Sequence, residues 1–463
     1  MDDERSNDAT HIRTEEFSET AAPLSGPLTG VNICVIGAGF VGCVTAAGLA
    51  KFGHNVVCVE KDADKLAMLK EGRLPFFERD LEELIKSNVK SGRLSFSSDL
   101  ENSLAGQKAA FIAVGTPSDD SGRADLSAIY GIVDNLGKVL KPGQVVVIRS
   151  TVPIGTAAEL KQILKRNGCE NGEIAIISNP EFLREGTAVY DFFNPHRIVI
   201  GGDSSEAIDT IQHIYRMGAV KPSPTIVTNN ETAEMIKYAS NAFLATKIGF
   251  INELAMLCDN VGIDVLEVAR AMGMDSRIGS EFLNPGPGWG GSCLPKDLQE
   301  FTGLGNSRGI PLLILEAVKK ANIIQHDFVV SKIKDLTTDI EKKRIGILGL
   351  SFKAETSDLR DSPAMAIARK LLDNGFIVKA YDPAAGVDAK RQLPDLDVTE
   401  TSYDALDGVD CAVILTEWSE FQLFDWKKAG EIMRHKKIVD ARNILSPELI
   451  RRYGFEYRSI GQI

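Results

Sequence analysis

The chain has 463 residues, enough for two or three domains. Its 44% hydrophobic and 25% charged shares are those of an ordinary globular protein. A formal net charge of -12 with no basic stripe excludes nucleic acid as the main partner. No apolar run is long enough to span a membrane, and the six His show no metal-ligand spacing, so neither a membrane nor a metal is expected. The seven Cys are odd in number and include no CxxC pair. Several sit in apolar runs, which fits reduced core residues and a reducing, cytoplasmic compartment.

Residues 1–29 are polar and rich in acids. They lack the apolar stretch of a signal peptide and the Arg-rich, acid-poor character of a transit peptide, so a disordered tail is expected. Val31 to Ile36 is a short apolar run typical of a buried parallel strand. Gly37-Ala38-Gly39-Phe40-Val41-Gly42 follows, then a helical pattern to Ala50. A second strand, Asn55 to Val59, ends at Glu60. Further strands are expected at Ala109–Val114, Val145–Ile148 and Ile174–Ile177. Strands alternating with helices imply a doubly wound parallel sheet.

The glycine pattern between a strand and a helix suits a dinucleotide, and an acid at the end of the next strand suits the adenosine ribose. A carboxylate there repels a 2′-phosphate, which favours NAD over NADP. The bland alternative is a glycine turn that only packs helix on strand. Thr116 in Val114-Gly115-Thr116-Pro117 and Thr151 in Ser150-Thr151-Val152-Pro153 follow strands, where such sheets bind ligands. They are either ligand contacts or ordinary turn residues. Glu181 and Glu185 flank an apolar pair after another strand and are either site acids or solvated helix-start residues.

From Glu231 to Asn260 there is no Pro and only Gly249, so one long helix is expected, with more helices to about Leu336. Lys237 and Asn241 lie four apart and share a face. They are either an oxyanion site or a surface Lys with a polar neighbour. Gly288-Trp289-Gly290-Gly291-Ser292-Cys293-Leu294-Pro295-Lys296-Asp297 sets one thiol in a glycine-rich loop, with a cation and a carboxylate close behind. A nearby cation lowers a thiol pKa, and the layout suits covalent catalysis. The alternative is an inert buried Cys. Strand and glycine turn return at Lys343–Leu350, with further strands at Ile377–Tyr381 and Cys411–Leu415. The expected division is a tail at 1–29, an NAD-binding Rossmann-like domain at 30–230, a central helical and dimerisation domain at 231–336, and a second, smaller nucleotide-type α/β domain at 337–463. The fold class is therefore two Rossmann-like doubly wound domains joined by a long central helix. A cleft between the domains is the natural ligand site.

The segments GAGFVG, VGTP, STVP, NPEFLREG, EMIKYASNAFLATKIGFINE, DSRIGSEFLNPGPGWGGSCLPKD, GLSFKAETSDLRDSPA and DARN occur in order over most of the chain. From Val31 onward the sequence resembles the UDP-glucose dehydrogenase family, within the nucleotide-sugar dehydrogenases. Trp289 stands where the family often has Phe or Tyr, and KAETSD replaces a segment that often holds a proline. The resemblance implies a four-electron oxidation of UDP-glucose to UDP-glucuronate with two NAD, through a thiohemiacetal and thioester on Cys293. It implies that Lys237 and Asn241 stabilise the C6 oxyanion, and that Asp297, Glu181 and Thr151 manage protons and hydrolysis. It further implies that Lys296 touches the cofactor and helps keep Cys293 ionised. For NAD it points to Gly37, Gly39, Val41, Gly42, Glu60, Lys65, Thr116, Thr151, Glu185, Lys296 and Arg360. For the UDP-sugar it points to Phe182, Leu183, Arg184, Glu185, Lys237, Asn241, Phe282, Leu283, Asn284, Pro285, Gly286, Gly290, Lys353 and Arg442. Arg277 resembles an arginine that reaches the sugar from a neighbouring subunit, so a homodimer or larger homo-oligomer is expected. GDP-mannose or another nucleotide sugar is the alternative substrate, and a silent NAD or nucleotide-sugar sensor the alternative class.

Overall fold

The structure, a computed structural model, describes residues 29–119, 122–169, 174–218 and 223–462. The expected tail, but for Thr29, lies outside the described residues. The first sheet comprises β1 (Asn32–Ile36), β2 (Asn55–Val59), β3 (Leu94–Ser97), β4 (Ala109–Ile112), β5 (Val145–Ile148), β6 (Ala175–Ser178), β7 (Ile198–Gly201) and β8 (Thr225–Thr228). Its order is β3-β2-β1-β4-β5-β6-β7-β8. The second comprises β9 (Arg344–Leu348), β10 (Ile377–Tyr381), β11 (Asp397–Val398), β12 (Cys411–Ile414), β13 (Lys437–Asp440) and β14 (Glu456–Ser459), in the order β11-β10-β9-β12-β13-β14. The doubly wound parallel reading therefore stands. One join departs from it: β6 and β7 meet antiparallel, through the Ser178–Gly201 pair.

The apolar strand runs follow from burial on both faces. Ile33 and Val35 pack with the helix Phe40–Lys51, while Cys34 and Ile36 face the helices Ser127–Val139 and Thr156–Arg166. Cys34, Cys43, Cys58, Cys258 and Cys411 are core residues, as their apolar settings predict. In each sheet the chain reverses its winding next to the first strand, between β1 and β4 and between β9 and β12. Ligands of such sheets bind at that crevice, beyond the carboxyl ends of the strands.

The long helix runs Asn230–Val261. The Asn229 side chain caps it by accepting from Thr232 N–H at 2.8 Å, and Gly262 ends it at φ 72°. Its first half presents Glu234 and Lys237 to the first domain, and Asn241 to Asp297 of the helix Leu294–Ser307. Its second half buries Ile251, Ala255 and Cys258 in one core with Val329 and Ile333 of the helix Leu313–Leu336 and with Ile345 and Ile347 of β9. Gly249 sits between the halves, and a Cβ there would reach Val318 at 3.5 Å, an ordinary contact.

Candidate active site

The three glycines after β1 have three different reasons. Gly37 lies at φ +99°, and a Cβ there would meet the Ala113 carbonyl at 2.9 Å. A Cβ on Gly42 would meet the Gly37 carbonyl at 1.8 Å, so this glycine lets the helix pack on the strand. A Cβ on Gly39 would meet nothing within 4 Å. Packing explains the first two and not the third. Gly39 caps a helix whose first N–H groups lack intrahelical partners, which makes open space beside an anion-binding end. Glu60 stands at its edge, with Oε2 accepting from Ala38 N–H at 3.3 Å and Oε1 from Asp62 N–H at 2.9 Å. These residues fit a dinucleotide: backbone donors for the pyrophosphate and a carboxylate for the ribose. Thr116 closes the crevice on the β4 side, its hydroxyl donating to the Thr151 carbonyl at 2.9 Å.

The reacting groups come from three directions. Cys293 caps the helix Leu294–Ser307, started by Pro295 in its first turn. Lys237 reaches in from the long helix and pairs with Glu181 at 3.1 Å, both ends buried. Asn241, one turn further, donates through Nδ2 to Asp297 Oδ2 at 2.6 Å. Lys296 Nζ holds the other Asp297 oxygen at 2.7 Å. Burial alone pushes Glu181 up, but Lys237 and Arg149 outweigh it and hold the carboxyl below its usual range. Burial alone pushes Lys237 down, but Glu181, Cys293 and Asp297 keep its ammonium above its usual value.

Two expectations for the thiol change. Burial raises Cys293 above the ordinary thiol value, and Glu181 and Asp297 push the same way. The cation that opposes them is Lys237, together with the Ser292 hydroxyl 3.4 Å from Sγ. Lys296 is engaged with Asp297 instead, so the lysine nearest in sequence is not the one acting on the sulfur. Desolvation outweighs one cation here because two carboxylates share the pocket.

Glu185 ties the cluster to the second α/β unit. Its Oε1 accepts from Ser292 Oγ at 2.9 Å and its Oε2 from Thr356 Oγ1 at 3.1 Å, with Arg360 Nη2 at 3.8 Å. Lys353 lies among Glu185 and Glu78 of the first unit and Glu417 of the second; burial lowers its ammonium while these acids raise it. Arg442 donates to the carbonyls of Leu415 and Phe352, at 2.8 Å each, and pairs with Glu417 at 3.0 Å. The segment Phe282 to Gly286 passes beside it: a Cβ on Gly286 would lie 3.3 Å from Arg442 Nη1. Phe282 holds φ +64°, strained for a bulky residue. Leu283 and Pro285 are buried and Asn284 is exposed. Gly290 admits no side chain, since a Cβ would meet the Asp361 carbonyl at 2.1 Å. Phe182 and Leu183 follow Glu181, and the Phe182 ring lies under Arg197 at 3.5 Å and 5.4 Å from Lys237 Nζ.

One expected residue, Arg184, is engaged away from the cluster, and two others stand exposed, Arg277 as a residue meant for a neighbouring subunit would. Arg184 turns to Asp191 at 2.7 Å, Lys65 is exposed on the helix Ala63–Lys70, and Arg277 is 87% exposed and paired with Asp275. Val41 is partly buried in the first helical turn after the glycine turn.

Sequence reading missed the groups that hold these parts in place. Asn252 accepts from Gly286 N–H at 2.9 Å, and Gln325 donates to the Gly286 carbonyl at 2.7 Å. Asn322 makes both backbone bonds to Trp289, at 2.8 and 2.9 Å. Arg149 Nη1 donates to the carbonyls of Asn179 and Pro180, at 3.1 Å each, just before Glu181. Glu78 accepts from Gly186 and Ala188 N–H. The available signal was polar residues on apolar helix faces, as at Asn322 and Gln325.

The second unit repeats the turn of the first, but closed. Asp382, after β10, occupies the place that Glu60 has after β2. Its Oδ2 takes Leu350 N–H, Ser351 N–H and Ser351 Oγ at 2.7, 2.9 and 2.9 Å. Trp418 Nε1 adds a bond to Ser351 Oγ at 3.2 Å. Of the two glycine turns, that of the first unit is the open one.

Residues 31–218 match the NAD binding domain of the UDP-glucose/GDP-mannose dehydrogenase family, residues 231–323 its central domain and residues 346–447 its UDP binding domain. The chain belongs to this family. A UDP-glucose 6-dehydrogenase of Rhizobium meliloti (strain 1021) is 43% identical over 436 residues, covering 93% of this chain and 100% of that protein. One from Pseudomonas aeruginosa is 38% identical over 442 residues, covering 93% and 98%. Among solved structures, a UDP-glucose dehydrogenase from Pyrobaculum islandicum matches with TM-score 0.86 at 34% identity, covering 94% of this chain and 99% of that one. A GDP-mannose dehydrogenase from Pseudomonas aeruginosa matches with TM-score 0.52 at 29% identity, covering 92% and 99%. The open glycine turn thus lies in the family's NAD binding domain, and NAD is the cofactor. Glu60 then sets a preference: kcat/KM with NADP is expected to be lower by roughly a hundredfold, because a like-charge contact costs several kcal/mol. Steady-state rates with each cofactor check this, and equal efficiencies would remove Glu60 from the ribose site.

Proposed function

We propose that this family member is a UDP-glucose 6-dehydrogenase that forms UDP-glucuronate, with Cys293 as covalent carrier. The observation that supports this most is one thiol sharing a buried pocket with Lys237, Asn241, Asp297 and Glu181, beside an open dinucleotide turn. A simple two-electron alcohol dehydrogenase has no use for the thiol. NAD, when bound, supplies the hydride acceptor. Overall, alcohol, two NAD+ and one water give carboxylate, two NADH and three protons.

The chain's residues divide the remaining work. Lys237 Nζ and Asn241 Nδ2 donate to the C6 oxygen as it gains charge. Cys293 Sγ adds to the aldehyde carbon as its S–H proton passes to the C6 oxygen, and the sugar stays bound through that sulfur until water displaces it. Asp297, oriented by Asn241 and Lys296, takes a proton from the water, with Glu181 and Thr151 in support. Lys353 and Arg442 supply the cations that a diphosphate needs. Lys353→Ala should weaken UDP-glucose binding about tenfold to a hundredfold, from roughly 1.5–3 kcal/mol for a charge-assisted contact, and leave NAD affinity unchanged. Separate calorimetric titrations decide it, and a loss confined to NAD would reverse the assignment of the two units.

The test of the function is NADH formed per sugar consumed, across a panel of nucleotide sugars. Two NADH per UDP-glucose is expected. A preference for GDP-mannose would select the alternative substrate. Binding with no NADH would mark a sensor.

We further infer a homodimer or larger homo-oligomer. Phe243, Phe250 and Leu257 recur every seven residues on the long helix and are 64%, 45% and 57% exposed. That spacing makes one stripe, the pattern by which a helix seats a partner. Leu313 and Ile314, at the start of the next long helix, are 73% and 70% exposed. The same assembly would bring the outward-turned Arg277 to a neighbouring subunit's sugar. Light scattering should give a multiple of 50.3 kDa, falling to that mass on Phe250→Glu. A wild-type monomer at working concentrations would reject the assembly. Among the described residues no helix is long and apolar enough to cross a membrane. We infer a cytoplasmic enzyme, since a working Cys293 thiol needs a reducing compartment.

A further inference from the structure

The proposed reaction releases three protons per sugar, yet its reacting groups are buried: Lys237, Glu181 and Asp297 are 3%, 5% and 1% exposed. Beside Lys237 lies a cavity of about 10 Å³ whose lining does not include Cys293. Ser150, Thr151, Ser178, Glu234 and Lys237 line it. That volume is about what one water needs, and the lining offers more than the two to four polar partners a water requires.

Glu234 sits one turn before Lys237 on the long helix and is 3% exposed. It makes no ion pair among the described residues. Its Oε2 accepts from Gly155 N–H at 2.7 Å and its Oε1 from Ala157 N–H at 3.0 Å, at the start of the helix Thr156–Arg166. From β6 the Ser178 hydroxyl reaches Oε1 at 3.4 Å. Gly155 itself is partly exposed. The carboxyl therefore spans from the cavity to a turn at the surface.

We propose that Glu234 is the proton outlet of this site: protons pass from Lys237 Nζ, through one water in the cavity, to the Glu234 carboxylate, and leave at the Gly155 turn. The inference rests on the oxidation proposed above. Each transfer breaks one N–H or O–H bond and forms one O–H bond, with no change in oxidation state. Lys237 returns to its charged form with the next proton given up by the sugar.

The groups that face Glu234 suit this role. Its carboxyl stands at about 7: burial and, less so, Glu231 on its own helix raise it, against the lowering by the Ala157 and Gly155 N–H donors and by Ser178. Lys237 lines the same cavity, and Tyr238 at the next position feels the charge of Glu234. A relay group works best when it titrates near the working pH.

Glu234→Gln in the full chain tests this, with the sugar that wild type oxidises. The expected result is a fall in kcat of about a hundredfold, the lower end for a lost proton-transfer group, with KM for UDP-glucose within about twofold. The solvent deuterium isotope effect on kcat should rise, and added imidazole should restore rate in proportion to its concentration. In ligand-free enzyme, infrared difference spectra should show a carboxyl that titrates at about 7 in wild type and is missing from Glu234→Gln. A folded variant with wild-type kcat overturns the proposal. So does a slow variant that buffer does not rescue, since that is a lost helix cap. If the variant does not fold, wild type decides through proton release followed with a pH dye. Release that depends on a group titrating at about 7 supports the outlet, and pH-independent release overturns it. Failure of wild type to reduce NAD with any nucleotide sugar would instead reject the function itself.

Discussion

Cys293→Ser should stop net formation of the acid, lowering it by about four orders of magnitude or more, as loss of a covalent nucleophile does. Serine is nearly isosteric, and Cys293 carries no packing role that a hydroxyl would fail. The variant should keep its melting temperature and its NAD affinity. Mass spectrometry of wild type quenched during turnover should find the sugar on Cys293. Wild-type rates of UDP-glucuronate formation by the variant would sink the covalent scheme. The raised thiol value adds a test in the ligand-free protein. Iodoacetamide should inactivate wild type at a rate that still climbs above pH 9, because burial holds the thiol protonated there. A plateau near neutral pH would mean that Lys237 outweighs burial.

Lys237→Met should damage the enzyme in two separable ways. It removes a donor to the C6 oxygen, worth roughly a hundredfold to a thousandfold in kcat. It also strands Glu181, and breaking a buried pair costs about 3–5 kcal/mol of stability. Adding Glu181→Leu should recover most of the stability, since two apolar groups can replace a buried pair, and none of the activity. A double variant that regained activity would show that Lys237 serves only the fold. The pH dependence follows from the two directions. Glu181 is held below 4.5, so its contribution is present above that value and is lost as pH falls through its folded value. Lys237 is held above 10.5, so its contribution is present below that value and is lost as pH rises through its folded value. Urea titrations of wild type and the double variant should differ in slope with pH only outside that window.

The strands were legible because burial on both faces leaves unbroken apolar runs, as in β1, β4 and β5. The edges were not. β3 alternates as Leu-Ser-Phe-Ser, β11 has two residues, and β8 is a mostly exposed Thr-Ile-Val-Thr segment, so none carries an unbroken apolar run. The reacting residues were legible because a thiol, a lysine and an aspartate stand in one glycine-rich neighbourhood. What sequence could not give was which cation faces the sulfur. Lys296 is three positions from Cys293 and turns to Asp297, while Lys237, far away in the chain, acts on the thiol. The clamps at Asn252, Asn322 and Gln325 were hidden because a buried amide in a helix looks like a fault until its backbone partner is known.

The long helix gives these assignments a mechanical side. At about 1.5 Å per residue it is a rod of roughly 48 Å. Glu234, Lys237, Asn241 and Asn252 bear on four different segments, so their spacings are set by one rod rather than by separate loops. A bend of about ten degrees at Gly249 would swing Asn241 by about 2 Å relative to Asn252, given the roughly 12 Å between Asn241 and the bend. Displacement of reacting groups by as little as about 1 Å can cost a hundredfold in rate. Stiffness of this helix, far from any bond being broken, is therefore itself a condition of catalysis.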